Sequence, residues 1–226
     1  GGVTTRQLPT RLTDLVLDMD QGQLNSVRDR MQSIIDVAAG MGQRQQAMAR
    51  NWQLSATALF DTRESAVALL RETGRALEAS VTRQDEAARF DLQRTRVLIA
   101  WLASRLGELS LADAQLAAIN GPPKAEEHPE LAQRVLVAQA ARACASGDTA
   151  AGLRQLQPLL DSGKALYSAH VTRFDCLHGP GALDQRAAQA QWLADHRGLA
   201  YSEIHGDYAL WFFNVAFSTM VWLELA

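Results

Sequence analysis

Two cysteines, Cys144 and Cys176, and five histidines, His128, His170, His178, His196 and His205, are the residues best able to hold a metal or act as nucleophile or base. Their spacing argues against both roles. No histidine pair carries the glutamate of an HExxH zinc helix, and no GxSxG turn presents a serine nucleophile. Four of the histidines fall near expected turns or helix ends, where a solvated ring is ordinary. Gly163-Lys164 has the end of a phosphate-binding loop, but Pro158 stands where its first glycine belongs. Asp18-Met19-Asp20 begins like a calcium loop whose glycine, Gly22, comes one residue early, and aspartates at a helix end explain it better. Glu126-Glu127 follows a pair of prolines at a helix start, where the helix dipole favours negative charge. The chain therefore reads as non-enzymatic, with no metal and no cofactor expected.

The elements that carry these residues are helical. With 47% hydrophobic and 21% charged residues over 226 positions, the chain is globular rather than disordered and long enough for a sizeable core. A net charge of −3 lacks the basic excess that nucleic-acid binding requires. Arginine outnumbers lysine by 20 to 2, which points to a GC-rich bacterial genome rather than to a function. The start at Gly1-Gly2 reads as a remnant of cloning, so the missing leader carries no weight.

Apolar residues recur at helical spacing throughout, and strand alternation is almost absent. Leu12, Leu15 and Val16 open a first helix; Leu24, Val27, Met31, Ile34 and Ile35 mark a second, stopped by the glycines of "AAGMG". Gln43 to Phe60 is a third. Asp61-Thr62 breaks it, with Thr62 able to cap a fourth that extends towards Thr82. A fifth begins near Asp85 and ends before Gly107, with Ser110 as the expected cap of the next. Asn120 to Glu130 is a linker, because adjacent prolines cannot continue a helix. Helices are then expected over 131–145, 150–160, 165–177 and 182–196. Domain organisation follows as hairpins over 1–120, a linker at 121–130, and hairpins over 131–226 ending in an aromatic-rich helix, the whole forming one superhelical unit.

The breaks recur roughly every forty residues, at Gly22, Asp61, Gly107, Gly147 and Gly179–Gly181. Five, nine and twelve positions after a break stand small or apolar residues: Ala112, Leu116 and Ile119 after Gly107, Gly152, Leu156 and Leu159 after Gly147, and Val27, Met31 and Ile34 after Gly22. Asp61 gives Ala66 and Leu70 but Thr73, and the Gly179–Gly181 turn fits only with a shift of a few residues. A small residue lets two helices cross closely, and the larger ones fill the space beyond. On these positions, best in "LIAWLASRLGELSLADAQLAAINGPP" and next in "AQAARACASGDTAAGLRQLQPLL", the chain resembles the tetratricopeptide-like family of helix-hairpin repeats, in degenerate form. The resemblance implies an all-α fold of stacked antiparallel helix hairpins, a TPR-like α-solenoid of about 9–11 helices. An irregular helical bundle is the alternative.

Cys144 and Cys176 each lie three residues before a turn glycine, in equivalent places of successive hairpins. Stacked helices lie about 8–10 Å apart, beyond the Cα separation a disulfide tolerates, so two free buried thiols are expected.

In the family the chain resembles, the first helix of each hairpin lines the concave face. Carried onto this sequence, that face holds Arg94, Val97, Trp101, Ser104 and Arg105, then Arg134, Val137, Ala141, Cys144 and Ala145, then Leu166, Ala169, Arg173, Cys176 and Leu177. The resemblance thus implies a partner-binding set of Arg94, Trp101, Arg105, Arg134 and Arg173. Guanidinium groups suit a carboxylate-bearing peptide or an acidic helix of another protein. Arginines paired within the fold are the alternative.

The end of the chain holds sixteen uncharged residues from Tyr208 to Leu223, short of the roughly 20 a membrane helix needs and without flanking Lys or Arg. Membrane insertion is not expected. Tyr208, Trp211, Phe212, Phe217 and Trp222 instead read as an interface or pocket wall, closing the stack on one side and meeting another chain, including a second copy of itself as a homodimer, on the other. The functional expectation is a protein–protein interaction module: an adaptor, an assembly factor or the sensing arm of a larger bacterial regulator. The alternatives are an all-helical regulator binding a small apolar ligand or lipid beside the aromatic helix, and an enzyme fragment whose catalytic domain lies elsewhere. A cytoplasmic location is expected, with the periplasm left open.

Overall fold

The structure, a computed structural model, describes residues 7–21, 23–79, 86–119 and 128–196. Among them there are ten α-helices and no strand: α1 (Gln7–Asp20), α2 (Leu24–Ala39), α3 (Gln43–Phe60), α4 (Arg63–Ala79), α5 (Glu86–Arg105), α6 (Leu109–Ala117), α7 (Pro129–Ala145), α8 (Thr149–Asp161), α9 (Tyr167–Cys176) and α10 (Leu183–Asp195). A short 3₁₀ turn, Pro180–Ala182, precedes α10.

The helix ends follow from local chemistry. The Thr62 hydroxyl accepts from the Ser65 amide at 3.2 Å, so Thr62 caps α4 as its sequence position suggests. Asp148 caps α8 through its carboxylate, which accepts from the Ala151 amide at 3.0 Å. Ser110 does not cap α6. That helix already starts at Leu109, and the carboxylate of the residue before it, Glu108, is taken up by Arg63 and Arg71 at 2.6 and 2.7 Å. Pro129, placed in the linker by its sequence context, opens α7 instead. A first-turn proline loses nothing there, since its missing N–H would have had no helical partner.

The turns after α5 and α7 are built alike. Gly107 and Gly147 adopt φ of 75° and 94°, a left-handed region that favours glycine. Each is followed by a residue whose amide reaches back five positions: Glu108 to the Ala103 carbonyl at 2.8 Å, and Asp148 to the Ala143 carbonyl at 3.0 Å. These bonds satisfy carbonyls that a helix end leaves bare.

Consecutive helices pair as α1 with α2, α3 with α4, α5 with α6, α7 with α8 and α9 with α10. From α3 onward the first members of these pairs also pack in succession, α3 on α5, α5 on α7 and α7 on α9, and each second member touches the next pair, α2 on α3 included. One apolar core runs along this row, from Leu15 through Ile34, Trp52, Leu70, Ile99, Leu102 and Leu131 to Leu156 and Leu193, all essentially inaccessible. The small residues five positions after Asp61, Gly107 and Gly147, namely Ala66, Ala112 and Gly152, are all buried, whereas five positions after Gly179 stands the exposed Asp184.

Gly152 shows why smallness matters. A Cβ built there would lie 2.2 Å from Cys144 Sγ and 2.8 Å from the Ala140 carbonyl oxygen, so α8 crosses α7 with no room for a methyl group. Gly152→Ala should therefore destabilise the fold by about 1–3 kcal/mol through overpacking. Chemical denaturation of the two proteins checks this, and an unchanged midpoint would contradict the close crossing.

Candidate functional site

The expectation of two free thiols is wrong. Cys144 and Cys176 form a disulfide with a Cα–Cα distance of 5.4 Å, and no free cysteine is present. The distance between helix axes is not the distance between facing Cα atoms. Each Cα sits about 2.3 Å off its axis, so two residues facing each other across axes about 10 Å apart come within bonding reach. The bond ties the end of α7 to the end of α9.

That junction is the wall of a cavity of about 330 Å³. Ser104 and Arg105 enter it from the last turn of α5. Ala141, Cys144 and Ala145 form its α7 side; Thr172, Asp175 and Cys176 form its α9 side, with His178 just beyond. The cavity exists because α7 presents small side chains here, and long ones from α5 reach over them to α9. Arg105 Nε donates to Asp175 Oδ2 at 2.5 Å, and its guanidinium lies 5.4 Å from the Trp101 ring centroid. Trp101 Nε1 donates to Thr172 Oγ1 at 2.9 Å, seventy-one residues away along the chain. His178 Nδ1 accepts from Arg186 Nη1 at 3.0 Å, and that guanidinium covers the Phe174 ring at 4.3 Å.

Of the five residues carried over as the partner-binding set, only Arg105 lines this cavity. Trp101 lies beneath it, 5% exposed, holding α5 to α9. Arg94 and Arg134 converge on Glu130 at the start of α7, Arg134 at 2.7 Å and Arg94 at 3.9 Å. Arg173 is half-buried on α9. The wider family-derived face fares differently: Ser104, Arg105, Ala141, Cys144, Ala145 and Cys176, six of its fifteen positions, come together here. Val97, Val137, Ala169 and Leu177 are core. Tyr208, Trp211, Phe212, Phe217 and Trp222 lie outside the described residues.

Sequence reasoning missed Asp175, Thr172 and His178. Asp175 carried a usable signal, an acidic residue one position before Cys176 and opposite in charge to Arg105. Finding it would have required knowing that α5 reaches past α7 to α9. Among the described residues no three His, Cys, Asp or Glu side chains gather as a metal site. None of their helices is long and apolar enough to cross a membrane. A second cavity of about 340 Å³ lies between α2 and α3, where Met31 and Phe60 meet the Arg28–Asp61 ion pair. Comparison with family models, with curated proteins and with solved structures finds no match to this chain.

On α9, His170 stacks on Trp192 with centroids 3.6 Å apart, and Trp192 stacks in turn on His196 at 4.0 Å. Burial, followed by the charges of Arg173 and His196, lowers the His170 pKa to about 4. Folding therefore favours the neutral ring, and the unfolded chain binds the proton more readily.

Two outcomes are expected from this junction. Replacing both cysteines by serine should cost about 3–4 kcal/mol, because the bond closes a loop across a sequence separation of 32 residues. Calorimetry of the double variant under non-reducing conditions measures it. The His170 contribution should be whole above pH about 6.5 and decline as pH falls towards 4. Melting temperatures across pH 4–7.5 should thus fall less steeply for His170→Gln than for the wild type; parallel curves would exclude the effect.

Proposed function

We propose that the chain is a non-enzymatic helical-repeat module, TPR-like in arrangement, that binds an acidic segment of another protein in the cavity between α5, α7 and α9. The observation that carries this reading is the convergence of six positions of the family's binding face on one cavity that also holds a guanidinium, Arg105. The order of packing, first helix upon first helix with each second helix against the next pair, supports the repeat arrangement. A partner carboxylate would compete with Asp175 for Arg105, where bidentate geometry favours recognition. At about 330 Å³ the space suits one or two side chains rather than a whole helix.

The disulfide supports an oxidising compartment, such as a bacterial periplasm, over the cytoplasm, where thiols are kept reduced. Self-association through Tyr208, Trp211, Phe212, Phe217 and Trp222 stays part of the proposal, with sedimentation as its measurement.

The test is quantitative capture of partners from the native host by wild type, Arg105→Ala and Ala145→Trp, with Arg28→Ala on the distant α2 as control. Loss of about ten-fold or more with Arg105→Ala and with Ala145→Trp, against no change in the control, is the expected result. Equal capture by all four proteins would end the reading.

A further inference from the structure

We propose that the Cys144–Cys176 disulfide is a thiol-exchange site: a dithiol entering the α5–α7–α9 cavity reduces it and releases α9, with α10, from α7. Three observations carry this. The bond lines a cavity instead of lying sealed in the core. Its two ends differ, since Cys176 is 0% exposed while Cys144 is half-buried, so an incoming sulfur meets Cys144 first. Arg105, paired with Asp175, and His178, bonded to Arg186, share the cavity wall, so two guanidinium groups stand beside the approach of a thiolate, the form that attacks.

The chemistry balances with the dithiol as reductant. Its first thiolate attacks Cys144 Sγ; the Cys144–Cys176 bond breaks and Cys176 leaves as a thiolate that takes up a proton. The second thiolate then attacks the sulfur of the mixed disulfide that belongs to the dithiol, and Cys144 leaves to be protonated in turn. Two electrons and two protons have passed from the dithiol to the cystine, and the dithiol departs as a disulfide.

The consequence for the fold follows from how α9 is held. The bond is its covalent tie to α7. Polar ties near that end include the Arg105–Asp175 pair and the Trp101–Thr172 hydrogen bond, both to α5, beside the packing of α9 on α7 and α8. Helix α10 depends on α9 through the Tyr167 hydroxyl, which donates to the Leu193 carbonyl, and through the His170–Trp192 stack. Loss of the bond therefore loosens α9 and α10 together, while α2 to α4 are untouched.

The experiment treats the full chain with dithiothreitol in the absence of denaturant. Thiol release is followed by alkylation and mass spectrometry, and amide hydrogen exchange is followed helix by helix. Reduction of the native protein is expected, slowed about ten-fold by Ala145→Trp, which fills the cavity, and slowed also by Arg105→Ala, which leaves the Asp175 carboxylate unpaired at its mouth. Exchange in α9 and α10 should rise about ten-fold on reduction, with α2 to α4 unchanged. With 2-mercaptoethanol, the trapped adduct should map to Cys144. Reduction only under denaturing conditions, equal rates in all three proteins, unchanged exchange in α9, or an adduct on Cys176 would each overturn the proposal. The site shares its cavity with the docking reading but not its partner. Capture and reduction are separate measurements, so either idea can fail alone.

Discussion

The absence of a side chain at Gly152 governs the junction on which the second half of the molecule depends. Cys144 Sγ and the Ala140 carbonyl occupy the space that a Cβ would take, so α8 lies directly on α7. That close crossing leaves the sulfur of Cys144 beside α9, where it meets Cys176. Helix crossing, covalent tie and cavity wall are thus three consequences of one contact. Interiors pack at crystal-like density, so a single added methyl group at such a crossing is felt by all three.

The cavity shows how small residues create a place for large ones. Ala141 and Ala145 keep α7 low, and Trp101 and Arg105 extend across it to Thr172 and Asp175. Both contacts are polar and shielded, the kind that are costly to leave half-made. They tie α5 to α9 across the intervening α7. At the surface Arg142 with Asp113 at 2.7 Å joins α7 to α6, and the hydrogen bonds from Arg142 hold the Asp113 pKa below its usual value. Exposed pairs of that sort contribute little each, and register rather than strength is their main effect.

Much of the fold was legible because helix ends are written locally. Gly107 and Gly147 mark turns whose left-handed φ other residues resist, and Thr62 carries its cap in its own side chain. The small residue after three of the breaks was readable for the same reason: Ala66, Ala112 and Gly152 are buried where the spacing put them. The site was legible only in part. Arg94 and Arg134 look like groove cations from their spacing, but both find Glu130, which no helical periodicity connects to Arg94.

What the amino-acid sequence determined alone was the helical architecture, its breaks and the positions able to face inward, since these rest on backbone conformation and on contacts within a few residues. Tertiary structure alone decided that Cys144 bonds Cys176, that Arg105 meets Asp175 across an intervening helix, and that a cavity remains between them. Those outcomes depend on the distance and curvature between helices far apart in the chain. Distances of that kind are set by the sum of all the packed side chains and are carried by no single stretch of residues.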